Sequence, residues 1–563
     1  MIKKLFVGIT IVITSLFISG CGESNKKDYS AAKEKGFVYV EGNRFMQNDS
    51  VFFPVLINYL VEFMKIEDQL IPVTNIQYDS THKHEGVGIE GQLERLNTHF
   101  KYINHLGFNT IRLVGLGGQD YNENGEFTMK CFNIDDSFNS YSYEEIKEQY
   151  KQAVVKIIEL AEANDLRVMI LFPTHRLDER QNESRIAFIK DIMSLFKENN
   201  TIFSYDFFNE PLYFDNSENE DYKVRQRSKE SAFKVVNSWA DLMAKYAPNQ
   251  LSTIGFGEPL EVFEWDPSIL PIDFVSFHTY HPLRVPNEIY WWSKYINKPW
   301  MITETSLPAD NDSISYLEQR QFMIESYKRT VNCGGGGFGW WQYQDVDWGN
   351  NFEHNHTSLI DHTGITYFED SSEVIFGTPK AAALVLKDLL KYTPTYECEC
   401  APNYYNMLGY KNIKIEGNII NAYTGEPIEG AVIRGWTNYW RIASNTFTNS
   451  KGEFNIFSND EYIHFEISAP GFTKIKFDQR IAYRHKDKNA SAFTTLYDKK
   501  LEYHDIHYYT YLKKQPTDSL LLAEGTFDST IVFDFDPNLF NQFQFVGIMG
   551  TKMLYPLDFI VNE

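Results

Sequence analysis

Two short motifs place a carboxylic acid at the end of an apolar run. "YDFFNEP" contains Asn209 and Glu210, and "PWMITET" contains Glu304. Two carboxyl groups that meet in space cannot both ionise easily, so one can stay protonated as an acid while the other acts as a nucleophile. Asn-Glu-Pro alone also suits an acidic loop or the start of a helix. The elements that position the two motifs must decide between these interpretations.

Short apolar runs alternate with long amphipathic stretches from about Phe37 to about Leu390. The runs are "FFPVLIN" (52–58), "TIRLVG" (110–115), "VMILF" (168–172), "FSYDFFN" (203–209), "LSTIGFG" (251–257), "DFVSFHTY" (273–280), "PWMITET" (299–305) and "GFGWWQY" (337–343). Between them, 143–164 and 231–247 carry apolar residues at helical spacing. Eight such units predict an α/β fold, a (β/α)8 TIM barrel. An open doubly wound sheet would need a glycine-rich phosphate loop, and "NCGGGGFGWW" has no Lys-Ser/Thr after it.

The barrel prediction brings the two glutamates together. Glu210 would end strand 4 and Glu304 would end strand 7, three βα units further on. Both would then lie at the carboxyl face of the barrel, where the strand-end loops of such enzymes hold their active sites. We therefore expect the two carboxyl groups to converge.

The pattern changes after "APNYYNMLGYKN" (401–412). Short alternating strands separated by turn signals then predict a small antiparallel β-sandwich. "GNIINAYTGEPIEGAVI" within it resembles carboxypeptidase regulatory-like domains, which implies an immunoglobulin- or transthyretin-like sandwich. The predicted domains are the barrel over 36–395, a linker over 396–411, the sandwich over 412–500 and an additional β-rich segment over 501–563.

The first residues are predicted to be a targeting signal. Lys3 and Lys4 precede an apolar run that "ISGC" closes at Cys21. The run is shorter than the roughly 20 residues that span a bilayer. Residues 1–21 resemble a bacterial lipoprotein signal peptide, which implies lipidation of Cys21 and a polar tether over 22–35. We expect a cell-envelope lipoprotein bound to a membrane, surface-exposed on the outer membrane of a Gram-negative bacterium.

The composition limits the classes of molecule that the protein is expected to bind. The formal charge of −23 disfavours nucleic acid, because the phosphate backbone would be repelled. Aromatic residues make up 16% of the chain, and exposed rings stack well on the apolar faces of sugars. Besides Cys21, the cysteines Cys131, Cys333, Cys398 and Cys400 are too few and too scattered for a disulfide framework. We expect them to be free or incidentally paired, and the oligomeric state is left open.

Four motifs, in order, resemble glycoside hydrolase family 5 of clan A: "NEP" at strand 4, "FHTY" at strand 6, "TET" at strand 7 and a tryptophan at strand 8. The resemblance implies that Glu210 is the acid/base and Glu304 the nucleophile. The supporting residues that it implies are Asn209 at the sugar 2-hydroxyl, Arg112 near the nucleophile, the strand 6 pair His278 and Tyr280, and Trp341 under the sugar ring.

If the register of strand 8 differs by one residue, Trp340 takes the place of Trp341 under the sugar ring. Trp291, Trp292 and Trp348 lie where subsite walls would be, although some of these rings belong to a core. Periodicity alone does not sort platform rings from core rings.

The resemblance implies a retaining hydrolase of β-glycosidic bonds in a polysaccharide or oligosaccharide, such as mannan, glucan or another hemicellulose. It implies no cofactor. One alternative is a non-catalytic glycan-binding surface lipoprotein, which would have no need of a matched carboxyl pair. Another is a transglycosylase with the same site.

Other polar residues compete for roles at the same face. Glu258 in "GEP" is a second candidate for the acid, but Gly257 before it has no amide to bind a hydroxyl. His175, near the end of strand 3, could bind a sugar hydroxyl. The histidines of "HTYHP" and "EHNHTSLIDH" raise the question of a metal, but lack the H-E-x-x-H spacing and a cysteine partner. We expect polar loop residues there and no metal.

Overall fold

The fold is taken from a computed structural model of the chain. It describes residues 27–75, 84–116, 122–135, 137–173, 182–215, 227–347, 355–368, 373–400, 413–421, 426–436, 443–458, 462, 464–472, 474–478, 492–495, 499–502 and 519–523. They contain a parallel barrel, two smaller sheets that follow it, and several hairpins. The predicted signal peptide, Cys21, His175 and Trp348 lie outside the described residues.

Eight strands form the barrel that the alternating pattern predicts. In chain order they are Val55–Ile66, Thr110–Val114, Arg167–Leu171, Ile202–Asn209, Leu251–Phe256, Val275–His278, Trp300–Glu304 and Phe338–Trp340, here called strands 1 to 8. Neighbours from strand 1 to strand 7 pair in parallel, and strand 8 pairs in parallel with strand 1. The backbone amides of Gly336 and Trp341 donate to the carbonyls of Trp300 and Thr305, which joins strand 8 to strand 7. The sheet therefore closes on itself.

Side chains complete the closure between strands 7 and 8. The amide nitrogen of Asn58, on strand 1, donates to the carbonyls of Thr303 at 2.8 Å and Trp340 at 2.9 Å. Gly339 permits the close approach, since a Cβ there would lie 2.6 Å from the Thr303 carbonyl oxygen. Asn58 is fully buried, so its amide satisfies backbone acceptors that water cannot reach.

Amphipathic helices cover the outside of the barrel. The helices that connect described strands are Gly88–Leu106, Tyr143–Ala163, Asn182–Leu195, Lys229–Tyr246, Val285–Tyr295 and Tyr316–Asn332. The helices expected over 143–164 and 231–247 are confirmed. Ser315 begins the last of the six with a capping box, in which the Glu318 carboxylate accepts from the Ser315 amide at 2.7 Å.

The connection between strands 5 and 6 has no α-helix, so the prediction of eight run-and-helix units is wrong at this point. Residues 257–274 contain a 3₁₀-helix, Pro259–Phe263, instead. Pro259, Pro267 and Pro271 lack the amide hydrogen that an α-helix needs, so this stretch cannot continue as one. The strands 432–436 and 464–468 of one C-terminal sheet pack against the 3₁₀-helix.

Two sheets follow the barrel. One contains Val432–Trp436, Ala443–Phe447, His464–Ser468 and Ile475–Asp478, all antiparallel. The other contains Ile413–Asn421, Glu453–Ser458, Ala492–Thr495, Lys499–Glu502 and Ser519–Ala523. They share a core that includes Ile415 and Phe454 from one sheet and Ile433 and Phe465 from the other. The second sheet is mixed rather than wholly antiparallel, because 413–416 pairs in parallel with 492–495.

The described part of the predicted tether is folded. Its described part, 27–35, contains the helix Ser30–Glu34, and Lys27 and Tyr29 both bind Asp273, at 3.0 and 2.7 Å. Buried Ala32 belongs to the same contact region. The folded body therefore already includes Lys27, rather than beginning at residue 36. No helix among the described residues is both long enough and apolar enough to cross a membrane.

A small hairpin sheet closes the amino-terminal end of the barrel. Its strands are Tyr39–Glu41, Arg44–Gln47 and Ser50–Val51. Phe45 packs edge-to-face against Phe203 and Phe274, at the start of strand 4 and just before strand 6. This end is thus filled by apolar side chains, which leaves the carboxyl face as the place for polar chemistry.

The remaining elements extend the rim and the periphery. They are the strands Gln69–Thr74, Thr128–Phe132, Phe138–Ser142, Ile365–Phe368 and Glu373–Phe376 and the short helices Pro211–Phe214 and Leu386–Leu389. Cys333 and Cys398 form a disulfide, whereas Cys131 and Cys400 take part in no disulfide among the described residues. The pairing ties the end of the helix before strand 8 to the predicted linker.

Candidate active site

Glu210 and Glu304 meet at the carboxyl face of the barrel. Glu304 is the last residue of strand 7, and Glu210 directly follows strand 4. Carboxylate oxygens of the two residues and a ring nitrogen of His278 all lie within 4.8 Å of one another. Both glutamates are 4% exposed. Their separation is of the size used by retaining glycosidases, whose carboxyl groups are about 5 to 5.5 Å apart.

The backbone turns sharply at Glu210. Its φ of 46° lies in the left-handed region, and its amide donates to the carbonyl of Gly255 at 2.7 Å. Pro211 then begins a four-residue helix. The motif is therefore both a strand end and a helix start. The unusual φ at a non-glycine residue is a local strain of the kind that is concentrated at functional sites.

Burial sets the protonation of Glu210. It raises the pKa of Glu210 to about 7; the positive charge of Arg112 opposes this rise and the negative charge of Glu258 adds to it. Burial disfavours the ionised carboxylate because the surrounding protein solvates charge poorly. Glu210 is therefore suited to hold a proton near neutral pH.

His278, at the end of strand 6, touches both carboxyl groups. Its Nδ1 lies 2.8 Å from Oε1 of Glu210 and 3.4 Å from Oε2 of Glu304. Burial lowers the pKa of His278 to about 4, so the ring is neutral at pH 7. A Cβ at Gly255 would lie 2.8 Å from the ring Nε2, so the glycine provides the space for this ring.

Glu304 is held at both of its oxygens. Arg112 donates to Oε1 and the Tyr280 hydroxyl donates to Oε2. Burial, and then the charge of Glu304, raise the pKa of Tyr280 well above its ordinary value, so Tyr280 keeps the proton that it donates. These two donors stabilise the ionised carboxylate and fix its orientation.

Arg112 is the centre of a buried polar network. It forms a salt bridge with Asp206 at 2.9 Å, donates to Oδ1 of Asn58 at 2.9 Å and donates to Oδ1 of Asn209 at 2.8 Å. Burial would lower the pKa of Arg112, but Asp206 and Glu304 raise it above its ordinary value. The bond to Asn209 fixes the orientation of that amide, with its oxygen toward the arginine.

Sequence reasoning missed Asp206 and Asn58. Each is a polar residue inside an apolar strand run and is fully buried. Charged residues are rarely buried without a partner. The aspartate within "SYDFF" therefore indicates that a cationic side chain lies beside it inside the barrel. Asn58 gives a weaker signal, since an amide at a strand end fits a loop equally well.

The tryptophans separate clearly by burial. Trp340 is fully buried and its ring nitrogen donates to the carbonyl of Thr357 at 3.1 Å, whereas Trp341 is partly exposed. A cis peptide bond joins Trp341 to Gln342. Trp291 and Trp292 are fully buried in the main core, so they are not subsite walls. Of the four tryptophans 291, 292, 340 and 341, Trp341 is thus the ring that a ligand could reach.

Glu258 is committed to other partners. It is 2% exposed, forms a salt bridge with Arg284 at 2.7 Å and accepts from the Tyr213 hydroxyl. Arg284 also pairs with buried Glu288. Glu258 therefore acts as a fixed negative charge close enough to influence Glu210, and it is not a second acid.

The cluster of Glu210, His278 and Glu304 is a poor cation site. Glu210, His278 and Glu304 could in principle surround an ion. Arg112 donates to one oxygen of Glu304 and Tyr280 donates to the other, so neither carboxylate oxygen is left to bind a cation. The cluster therefore suits proton transfer and nucleophilic attack.

Comparison with known protein families gives a match that lies within the barrel. Residues 72–342 match the model of the family described as cellulase (glycosyl hydrolase family 5), a little under half of the chain. The matched region contains strands 2 to 8 and both glutamates, which supports the family resemblance for this region. No curated protein sequence matches the chain significantly.

Solved structures that match parts of this chain include three enzymes, each with a TM-score below 0.5. An endo-1,4-beta-mannanase from Rhizomucor miehei is 14% identical, with 55% of this chain and 90% of that chain covered and a TM-score of 0.37. An exo-beta-1,4-mannosidase from Opitutaceae bacterium strain TAV5 is 14% identical, with 62% and 61% covered and a TM-score of 0.44. The catalytic domain of an endoglucanase from Thermobifida fusca is 15% identical, with 64% and 98% covered and a TM-score of 0.38.

Proposed function

We propose that this chain is a retaining glycoside hydrolase that cleaves β-glycosidic bonds in a polysaccharide. The proposal rests on Glu210 and Glu304, whose carboxylate oxygens lie within 4.8 Å in unlike surroundings. One is buried with a raised pKa, and the other is held between Arg112 and Tyr280. The family match over residues 72–342 supports glycoside hydrolase activity.

The first step forms a covalent intermediate. The Glu304 carboxylate attacks the anomeric carbon, and the bond from that carbon to the leaving oxygen breaks. Glu210 gives its proton to the leaving oxygen, so the departing group leaves as a neutral hydroxyl. Arg112 and Tyr280 keep Glu304 ionised and aimed before attack.

The second step releases the sugar. When Glu304 becomes an ester its charge disappears, and Glu210, now ionised, acts as base for an incoming water. The water oxygen bonds to the anomeric carbon, the ester bond to Glu304 breaks, and Glu210 regains its proton. Two inversions give net retention of configuration.

Asn209 and Trp341 would position the sugar. The Asn209 oxygen accepts from Arg112, so its NH₂ group is the end that can donate to a 2-hydroxyl. The partly exposed ring of Trp341 offers an apolar platform at the end of strand 8. Mannan, glucan and related hemicelluloses are the substrate classes that this proposal covers.

A non-catalytic glycan-binding role is disfavoured, since binding has no need of a carboxyl pair with opposed protonation. Transglycosylation would use the same residues and differ in the acceptor that replaces water.

The proposal is tested by reducing-sugar release from a panel of β-mannans, glucans and xylans, with anomeric configuration followed by NMR. We expect release from at least one polymer with retention, and longer oligosaccharides in place of released sugar would indicate transfer. Glu304→Gln keeps the size of the side chain and should be inactive. Inverted product, or full activity in Glu304→Gln, would refute the double displacement.

We also propose that the protein is anchored by a lipid on Cys21, as its lipoprotein-like N-terminus suggests. Wild-type protein should be recovered with membranes, and Cys21→Ser should be recovered in the soluble fraction. Cys131→Ser, which changes a buried free cysteine, serves as the control. Soluble wild-type protein would contradict the anchor.

A further inference from the structure

A second cluster of potential ligands lies beyond strand 8. Asp345 follows that strand closely, and His356 and His362 come from the histidine-rich stretch that was expected to be a polar loop. A carboxylate oxygen of Asp345 and one ring nitrogen from each histidine lie within 4.8 Å of one another. None of the three residues has a part in the proposed glycosidase mechanism.

The distances favour coordination over direct hydrogen bonding. Oδ2 of Asp345 is 3.5 Å from Nδ1 of His356 and 3.9 Å from Nδ1 of His362. Good hydrogen bonds between such atoms are about 2.7 to 3.2 Å long. Ligand atoms about 2.0 to 2.2 Å from a tetrahedral zinc ion are separated by about 3.3 to 3.5 Å. The two distances from Oδ2 of Asp345 are therefore close to those between ligands of one ion, and the two histidine nitrogens lie within 4.8 Å of each other.

The carboxylate is held with one oxygen toward the histidines. Oδ1 of Asp345 accepts from Lys380 Nζ at 2.9 Å and from the Ser358 hydroxyl. Asp345 and Lys380 are both buried. Oδ2 faces the two imidazoles, so one oxygen is used for support and the other points to the candidate site. Such outer partners orient metal ligands in known sites.

The backbone that carries His356 is fixed as well. The His356 carbonyl accepts from Lys380 Nζ and from the amide of Ala309, both at 2.9 Å. The Asp345 amide donates to the carbonyl of Ile360 at 2.8 Å. The segment at Asp345 and the segment at His356 are therefore held in place without an ion. Binding an ion then costs less conformational entropy.

We propose that Asp345, His356 and His362 bind a zinc ion. Two imidazole nitrogens and one carboxylate oxygen are a donor set that zinc accepts, with a fourth position open to water, whereas magnesium and calcium prefer oxygen ligands. His362 is exposed, so an ion can enter from solvent. The site is independent of the proposed glycosidase activity, and it differs from the sequence-based expectation of plain loop residues.

The ion would link Asp345 to the segment that carries His356 and His362. The Leu359 amide donates to the carbonyl of Gln342 at 3.1 Å. This bond connects the segment that carries the two histidines to the residue after Trp341. A ligand that binds only the folded state raises the free energy of unfolding with the logarithm of its concentration relative to Kd. Zinc should therefore raise the unfolding temperature of the whole chain.

Calorimetric titration of the chelator-treated full chain with zinc chloride tests the proposal. We expect one equivalent to bind to wild type, and substitution by cobalt should give the visible spectrum of a tetrahedral site. His362→Ala should lose that equivalent and the zinc-dependent rise in unfolding temperature. His105→Ala removes an exposed histidine on the helix Gly88–Leu106 and should bind zinc as wild type does.

His356→Ala provides a second test that leaves the Asp345–Lys380 pair intact. Asp345→Asn is less informative, because it removes the partner of a buried lysine and can unfold the region. Absence of stoichiometric binding to wild type would overturn the proposal. Equal binding by wild type, His362→Ala and His356→Ala would overturn it too.

Discussion

Nδ1 of His278 lies 2.8 Å from Oε1 of Glu210, and both side chains are buried. Burial lowers the pKa of the histidine to about 4 and raises that of the glutamic acid to about 7. Both shifts favour the neutral form, because low polarity disfavours either charge. Between about pH 4 and pH 7 the pair therefore adds little charge beside Glu304, whose own charge is balanced by Arg112.

The pH dependence of kcat/KM should reflect Glu210. A general acid must be protonated to act, so the activity present below its pKa is lost as pH rises through about 7. Glu258→Gln removes a negative charge that raises the pKa of Glu210, so the basic limb should move to lower pH. A pH profile of both proteins on one polysaccharide measures this shift.

Glu144→Gln is the control for the pH experiment. Glu144 is exposed on the helix Tyr143–Ala163, and this change should leave the profile in place. An unmoved basic limb in Glu258→Gln would show that Glu258 does not control Glu210.

Glu210→Ala should separate substrates by their leaving groups. Loss of proton transfer costs roughly 10² to 10⁴-fold for a sugar leaving group, and far less for an activated aryl group that departs without a proton. Glu304→Ala should be inactive on both. Initial rates on a polysaccharide and on an aryl glycoside provide the comparison, and equal losses on both substrates would contradict the acid assignment.

Gly255→Ala tests the packing beneath the site. The new methyl group would lie 2.8 Å from Nε2 of His278, so the ring must move away from its position at Glu210. Misplacement of about 1 Å can cost on the order of 10²-fold in rate. Measured kcat should fall while the protein stays folded.

Gly91→Ala is the matched control, since its methyl group would meet only the end of the Val87 side chain at 2.8 Å. It places alanine in the helix Gly88–Leu106, where alanine is favoured over glycine. Its kcat should match wild type. A similar kcat in Gly255→Ala would mean that the exact place of the His278 ring is unimportant.

Lys229→Met should weaken the contact between the barrel and the C-terminal sheets. Buried Lys229 forms a salt bridge with Asp266 at 2.8 Å and donates to the carbonyl of Ala469 at 2.9 Å. Asp266 also accepts from the amide of Gly471 at 2.6 Å. Removing one partner of a buried pair costs about 3 to 5 kcal/mol. Chemical denaturation measures the loss.

Lys234→Met, on the same helix, is the control. Its side chain is 67% exposed and its ion pair with Glu230 is on the surface, where such pairs contribute about 0 to 1 kcal/mol. Similar stabilities for the two variants would show that the joint is not important for folding.

Much of this architecture could be predicted from the residues alone. Apolar runs of strand length, separated by amphipathic stretches, are enough to predict parallel strands, because each run must be buried on both faces. Glu210 and Glu304 end two such runs, so their common face follows from the strand direction. The strands of the C-terminal sheets are likewise evident from alternation and turn residues.

Other features depend on contacts between distant residues. The missing fifth helix, the disulfide between Cys333 and Cys398, and the Asp206 and Asn58 contacts of Arg112 are of this kind. Periodicity reports which face of an element is buried, but not which partner covers it.

The sequence by itself therefore determined the strands, their direction and the two acids at their ends. Only the tertiary structure decided the protonation of Glu210, the choice of Trp341 over Trp340, and the meeting of Asp345 with two histidines. Those properties arise from burial and from distances of a few ångströms between residues far apart in the chain, and local residue patterns do not encode such distances.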